Sequence, residues 1–476
     1  MSTTKRVAMG AVWLFGVQVL TGIVQLGYAA FTSRHADQVA FGQYAIALSA
    51  TALVSMVANS GLGGSASRMS STEESEVRAL ISLSLLIGAC MALLLLAVAE
   101  PWARLWGNLE AAPVIRLLAL GVAVTPATSV QAGVLRREGQ FRQFAQAAIG
   151  ASVGGMMVGM LVVSRDPSAS SLVVMSVVAN WILLLGLGII LGRKSRPSAS
   201  LKGTREHMVF GSKSLLHSLI IYAGAAAPLI AMSRSLSVGA LGQWNRATVI
   251  GQMPLEMATS SAQKALYPEF RGAQADRGRL KRVWTDVVAL GAMVVWPLVG
   301  WGTAIVPTGL SLIFGPGWQT AGSMARWILV ATGLAFVYGI LGAAQESANY
   351  FRYVWAGSIA TSSVLVVSAF FVLETQTWAA IGVGVVIASI TGLLVQLVLS
   401  IRNGLLFCKD IVSVVVLSLA AGVTVYLLTD RLIRASELPA MGIFGGLVML
   451  MVLYIALYEL FPHNLLSRII RGYRPR

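Results

Sequence analysis

Fourteen stretches of about twenty apolar residues, each bounded by charged or Pro/Gly-rich breaks, fill most of this chain. They lie at 8–31, 40–64, 79–99, 114–135, 144–163, 171–191, 208–232, 245–267, 284–306, 322–343, 353–373, 378–400, 411–429 and 439–460. Of 476 residues 56% are hydrophobic and only 11% charged, with a mean hydropathy of +0.76, so a water-soluble globule has no way to hide them. In hydrocarbon each backbone polar group must be satisfied inside its own helix. The expected fold class is therefore an all-α polytopic membrane protein with about 14 transmembrane helices. The opening KRVAMGAVWLFGVQVL has the basic lead of a secretory leader, but its apolar run continues to Phe31 and is expected to be a true span. The two cysteines, Cys90 and Cys408, offer no disulfide framework.

The formal net charge of +16 would suggest nucleic acid in a soluble protein. Here its distribution argues for topology instead. When alternate loops are assigned to opposite sides, all but nine of the 35 Lys and Arg fall on one side. The nine are Arg34, Arg104, Arg116, Arg165, Arg234, Arg246, Arg326, Arg431 and Arg434. The positive-inside rule makes the richer side cytoplasmic, with both termini there, as an even number of spans requires.

The chain also repeats itself. SRHADQVAFGQY at 33–44 is answered by SRSLSVGALGQW at 233–244. Leu105-Trp106-Gly107 is answered by Ile313-Phe314-Gly315, Arg116 by Arg326, and Phe141-Arg142 by Phe351-Arg352, the offset drifting from 200 to 210. Four ordered matches predict two six-helix bundles in tandem, 1–200 and 201–405, followed by two extra helices and a basic tail in 406–476. An even number of spans per half makes the duplication parallel, a pseudo-two-fold along the membrane normal, and such bundles enclose a midplane site. A transporter is expected.

Span 8 carries the clearest polar face. Asn245, Gln252, Glu256, Thr259 and Gln263 recur at spacings of 7, 4, 3 and 4, which on an α-helix places them within one stripe. Such a stripe cannot face lipid, because unsatisfied polar groups cost several kcal/mol there. Glu256 is the one acid near mid-span among the 19 Asp and Glu, and an ionisable residue at that depth is a functional candidate. Span 1 adds Gln18, Thr21 and Gln25, span 2 Thr51, Ser55 and Asn59, and span 7 Lys213 and His217. Spans 3, 5, 6, 12 and 13 are greasier. The polar faces thus concentrate in equivalent pairs of helices, 1 and 2 with 7 and 8, and Pro228 and Pro254 give spans 7 and 8 places to bend.

At these residues a resemblance emerges. GQWNRATVIGQMPLEMATSSAQKALYPEFRGAQADRGRLKRVW is similar to the stretch in bacterial polysaccharide-biosynthesis membrane proteins where an Asn-Arg-Ala helix start, a mid-helix Pro and a Tyr-Pro end lead into a basic loop. IFGPGWQTAGSMARWIL resembles the same family, the Wzx-type oligosaccharide flippases. Their MOP superfamily also holds the peptidoglycan-lipid flippases and the multidrug and toxin extruders. The resemblance covers most of the chain. It implies outward translocation of undecaprenyl-diphosphate-linked oligosaccharide by alternating access in the inner (plasma) membrane, with spans 1, 2, 7 and 8 lining the cavity. One departure stands out: the peptidoglycan-lipid relatives carry arginines in their cavity helices, whereas span 1 here has amides.

A diphosphate seeks cations, and Lys213, His217, Arg246, Arg34 and Arg234 are those nearest the expected cleft. Lys213 would receive it from the cytoplasmic side, and Arg34 and Arg234 are the outer gate candidates. Glu256 is also the candidate for proton coupling, with sodium the other coupling ion considered. No GxxxxGK[ST] loop is present, so the chain is expected neither to hydrolyse ATP nor to act as an enzyme, and no cofactor is expected. A monomer among membrane lipids is expected, with a polysaccharide polymerase and glycosyltransferases as protein partners and no nucleic acid. Two other classes compete. A cation-coupled multidrug extruder of the same superfamily fits the cations less well, and a membrane glycan polymerase or ligase needs an outer loop longer than the roughly twenty residues found here.

Overall fold

The computed structural model describes residues 3–59, 74–198, 212–274, 276–436 and 439–460. Every regular element among them is helical. In order they are α1 (Thr3–His35), α2 (Gln38–Asn59), α3 (Glu74–Leu105), α4 (Ala111–Val122), α5 (Thr125–Arg137), α6 (Phe141–Arg165), α7 (Ala169–Leu172) and α8 (Val174–Leu191). Then follow α9 (Ser212–Ser235), α10 (Val238–Gly251), α11 (Met253–Gly272), α12 (Arg277–Phe314), α13 (Gln319–Ser347), α14 (Phe351–Thr375), α15 (Trp378–Arg402), α16 (Cys408–Ala435) and α17 (Pro439–Leu460). Eleven helical segments among the described residues are long and apolar enough to cross a membrane. The chain is a multi-pass membrane protein.

Among the described residues each of the fourteen apolar runs falls on helix, with two systematic differences. Helices overrun the runs that predict them, α12 spanning 38 residues where 284–306 is apolar. Its first turns carry Arg277, Arg279, Lys281 and Arg282, which suit a helix end standing in the headgroup layer. Asp276 caps that end, its carboxylate accepting from the Gly278 N–H at 2.8 Å. Three expected spans are also each split in two. The break between α4 and α5 precedes Pro126, and that between α10 and α11 precedes Pro254, because proline removes a helix hydrogen bond and crowds the preceding turn. The third falls at Val173, between α7 and α8, without a proline.

The described helices form two compact units, Met1–Asn245 and Arg246–Arg476. In the first, α6 lies along α8 and α1, and α4 against α3 and α2. Leu80, Ile81, Val130, Leu135 and Leu187 are fully buried at its centre. Lys194 pairs with Glu138 at 2.7 Å, and the Tyr28 hydroxyl donates to the Leu172 carbonyl at 3.1 Å.

In the second unit α12 packs against both α13 and α16, while α14 lies along α15. The α12–α16 crossing is a backbone contact. A Cβ on Gly300 would overlap the Gly422 carbonyl oxygen, and one on Gly422 would stand 2.6 Å from the Trp296 oxygen. Close approach of this kind replaces the hydrophobic effect, which is absent between helices in lipid. Gly300→Ala is expected to strain the contact by about 1–3 kcal/mol and lower the melting temperature in detergent. Gly309→Ala, on the same helix with nothing within 4 Å of its Cβ position, is the control and should not.

Helix boundaries recur at fixed offsets. α1 ends at His35 and α2 begins at Gln38; α9 ends at Ser235 and α10 begins at Val238. α4 and α13 begin at 111 and 319, and α6 and α14 are both 25 residues long, starting at 141 and 351. The turn before α6 places Gly139 at φ 76°, and the turn before α14 places Asn349 at φ 65°. Each sends the following N–H back to close the preceding helix, Gln140 to the Leu135 carbonyl at 2.9 Å and Tyr350 to that of Gln345 at 2.8 Å.

Candidate functional site

Because Pro254 has no N–H to give to the Ile250 carbonyl, the span breaks at Gln252, which caps α11 with φ −111° and ψ −49°. Glu256 therefore sits in the first turn of a new helix, where the helix dipole favours a carboxylate. Its carboxylate is exposed and accepts a hydrogen bond from the half-buried Gln252 amide. The rest of the stripe turns to a neighbour. Gln263 Nε2 donates to the Gly339 carbonyl at 2.9 Å, and a Cβ on Gly339 would stand 3.0 Å from both Gln263 Nε2 and Thr259 Cγ2. The Thr259 hydroxyl donates within its own helix, to the Leu255 carbonyl at 2.7 Å. The stripe thus has an open part, Gln252 and Glu256, and a part packed on α13, Thr259 and Gln263.

Arg246 is buried, 5% exposed, with its guanidinium carbon 5.8 Å from the centre of the Phe314 ring at the end of α12. That is a cation–ring contact rather than an open cationic mouth. Asn245, one residue earlier, is half-buried and ends the first unit.

Within that first unit, Gln18 is half-buried and Gln25 exposed on α1, and His217 is half-buried on α9. The Thr21 and Thr51 hydroxyls donate to carbonyls of their own helices, at 2.7 Å to Val17 and 2.8 Å to Leu48. The side chains of Asn59 and Lys213 lie outside the described residues. Arg34 and Arg234 are both exposed. Arg234 crosses the turn between α3 and α4, its Nη2 donating to the Arg104 carbonyl at 3.3 Å, and Ser233 donates to the Trp106 carbonyl at 2.8 Å.

Two sets of polar contacts escape a reading of the sequence. Tyr222 of α9 donates to the Ser49 carbonyl at 2.7 Å, and Trp102 Nε1 to the Ser49 hydroxyl at 3.0 Å, so α9, α2 and α3 are joined by side chains that look like span filler and interface anchors. In the second unit Gln345 donates to the Ser400 hydroxyl at 3.0 Å, and Gln396 is fully buried beside Gly357. A lone amide in the greasy run 378–400 was the available signal. No group of three His, Cys, Asp or Glu that could hold a metal occurs among the described residues.

Comparison with known proteins decides the family. The family described as "Polysaccharide biosynthesis protein" matches residues 37–323, more than half of the chain. The chain belongs to this family. Among its relatives, the succinoglycan biosynthesis transport protein ExoT of Rhizobium meliloti (strain 1021) is 23% identical over 319 residues, 67% of this chain and 63% of that protein. The lipopolysaccharide biosynthesis protein WzxC of Escherichia coli (strain K12) is 22% identical over 325 residues, 67% of this chain and 65% of that one. The matches thus span a little under two thirds of these relatives' lengths. Among solved structures, the lipid II flippase MurJ in an inward closed conformation covers 96% of this chain and 100% of its own at a TM-score of 0.74 and 12% identity. An inward-facing multidrug resistance MATE transporter of the MOP superfamily covers 79% of this chain and 94% of its own at 0.58 and 16%. The chain therefore shares the fold of these two structures, and it is a multi-pass membrane protein.

Proposed function

We propose that this chain is a flippase that carries undecaprenyl-diphosphate-linked oligosaccharide units from the cytoplasmic to the outer leaflet, for surface polysaccharide biosynthesis. The observation that carries this reading is the polysaccharide-biosynthesis family match across residues 37–323 in a chain made of membrane helices. Each sugar hydroxyl taken bare into hydrocarbon costs on the order of 2–7 kcal/mol, so such a unit needs a hydrated route across the bilayer. A transporter supplies that route without chemistry, and the relatives ExoT and MurJ are named as a transport protein and a flippase.

In this reading fourteen spans leave both termini cytoplasmic, and two six-helix repeats related by a pseudo-two-fold along the membrane normal carry an extra C-terminal pair. The helix found at each apolar run among the described residues, and the boundaries that recur at offsets of 200, 208 and 210, support it. Glu256 and Gln252 form the wet part of the pathway, extended by Gln18, Gln25, Asn59, His217 and Asn245. Thr259 and Gln263 hold that face against α13. Lys213 meets the diphosphate on the cytoplasmic side, and Arg34, Arg234 and Arg246 act at the outer end. Movement of the anion outward follows an interior-negative potential, worth about 2.3 kcal/mol per charge per 100 mV. Proton or sodium coupling through Glu256 would add to it.

The test uses the purified protein in vesicles whose inner leaflet carries a fluorescent lipid-diphosphate sugar. The expected result is rapid exposure of the sugar to an external lectin. A rate equal to that of protein-free vesicles, together with uptake of a cationic dye, would replace the flippase by a drug extruder.

A further inference from the structure

The repeated segments 33–44 and 233–244 do more than resemble each other: inside the Met1–Asn245 unit they touch. A Cβ on Gly42 would overlap the Val238 carbonyl oxygen and stand 2.6 Å from Val238 Cγ1. A Cβ on Gly242 would overlap the Gln38 carbonyl oxygen and stand 2.9 Å from the Gly42 nitrogen. At an offset of 200, residue 38 corresponds to 238 and 42 to 242. The contact is therefore reciprocal: 42 meets 238, and 242 meets 38. Reciprocity of this kind is what a two-fold axis produces, so a local axis passes between the two glycines. The first turns of α2 and α10 cross there backbone to backbone, and no residue but glycine fits either position.

Side chains of α9 fasten the same end. Ser233 and Arg234 donate to carbonyls at the end of α3 and just after it, and Tyr222 donates to the Ser49 carbonyl about two turns beyond Gly42 along α2. Every one of these bonds ends on a backbone carbonyl. Such bonds close the end of the bundle without asking for a particular side chain on the other strand, and they can be broken and remade without leaving a buried charge behind.

We infer that the Gly42–Gly242 crossing is the seal of the outer end of the pathway, closed in this structure, and that it must separate once in each transport cycle. The inference rests on the transport reading above. It makes Gly42 and Gly242 positioning residues, which set how closely α2 and α10 approach and touch no cargo.

The seal can be locked directly. A Cβ built on Gly239 lies 3.7 Å from Gln38 Cβ, within the usual separation for a disulfide of roughly 3.5–4.5 Å. The test is a Gln38→Cys, Gly239→Cys double variant in full-length protein with Cys90 and Cys408 replaced by serine. It is assayed oxidised and reduced, by lipid-sugar flipping and by amide hydrogen exchange of the 38–44 and 238–244 segments. Oxidation is expected to stop flipping and slow exchange in both segments, and reduction to restore both. Undiminished flipping by the fully crosslinked protein, or exchange indifferent to the crosslink, would overturn the seal, as would failure of the disulfide to form in folded protein. If the reduced protein does not flip but its exchange still responds to the crosslink, the transport reading falls and the opening of the crossing stands. Gly42→Ala and Gly242→Ala should each speed exchange in both segments, since either one wedges the same contact.

Discussion

Glu256→Gln is expected to reduce flipping at least about tenfold while leaving abundance and membrane insertion unchanged. Glutamine has the same size and can still accept the hydrogen bond from Gln252, so the local shape survives and only the charge is removed. Because the carboxylate is exposed and in the first turn of α11, its loss leaves no buried partner unsatisfied. A large functional effect with a small structural one is the signature of a group that works on cargo or on a coupling ion. The measurements are the initial flipping rate per folded protein and its dependence on pH across the membrane. Full export with an unaltered pH profile would take Glu256 out of the mechanism.

Arg246→Glu is expected to abolish flipping, whereas Arg271→Glu, in the last turn of α11 and exposed, should leave it within about twofold. The buried guanidinium loses its contact with the Phe314 ring, worth about 2 kcal/mol when desolvated, and a carboxylate takes its place against the negative face of that ring. Arg246→Lys separates two roles. Lysine keeps the positive charge but not the guanidinium's reach to the Phe314 ring, so flipping that survives in it while melting drops assigns Arg246 to holding the end of α12. Flipping lost in both variants with unchanged melting assigns it to the anion. Equal losses at 246 and 271 would count against an anionic pathway altogether.

The helices were readable because lipid imposes one rule on every exposed face, and an apolar run of twenty residues has no second solution. The break at Pro254 was readable for a local reason, a missing N–H, whereas α9 runs unbroken through Pro228 and the break before Pro126 was not expected. Nor was the break at Val173, since nothing in VVMSVV marks it and packing in three dimensions sets it. The site divides along the same line. Glu256 announced itself by depth alone. Gln263 and Thr259 share its stripe, but their partner is Gly339, 76 residues beyond Gln263, and a stripe does not say which part of it is covered. Arg246 read as one of the cations nearest the cleft, and its burial against Phe314 was not legible, because the ring beside it belongs to the end of a helix two elements away. The paired Gly-Gln in the repeated segments stood out in the sequence, though not the contact that explains the glycines.

The paired turns before α6 and α14 have a practical consequence. One copy meets the demand for a positive φ with Gly139 and the other with Asn349, and each then closes its helix with the same pair of main-chain partners. Two solutions to one backbone problem thus coexist in a single polypeptide. A mutational scan of this protein can be folded onto itself, each position up to about 190 read beside its counterpart 200 to 210 residues later. Where the two profiles agree, architecture sets the tolerance. Where they diverge, the asymmetric cargo is the natural suspect.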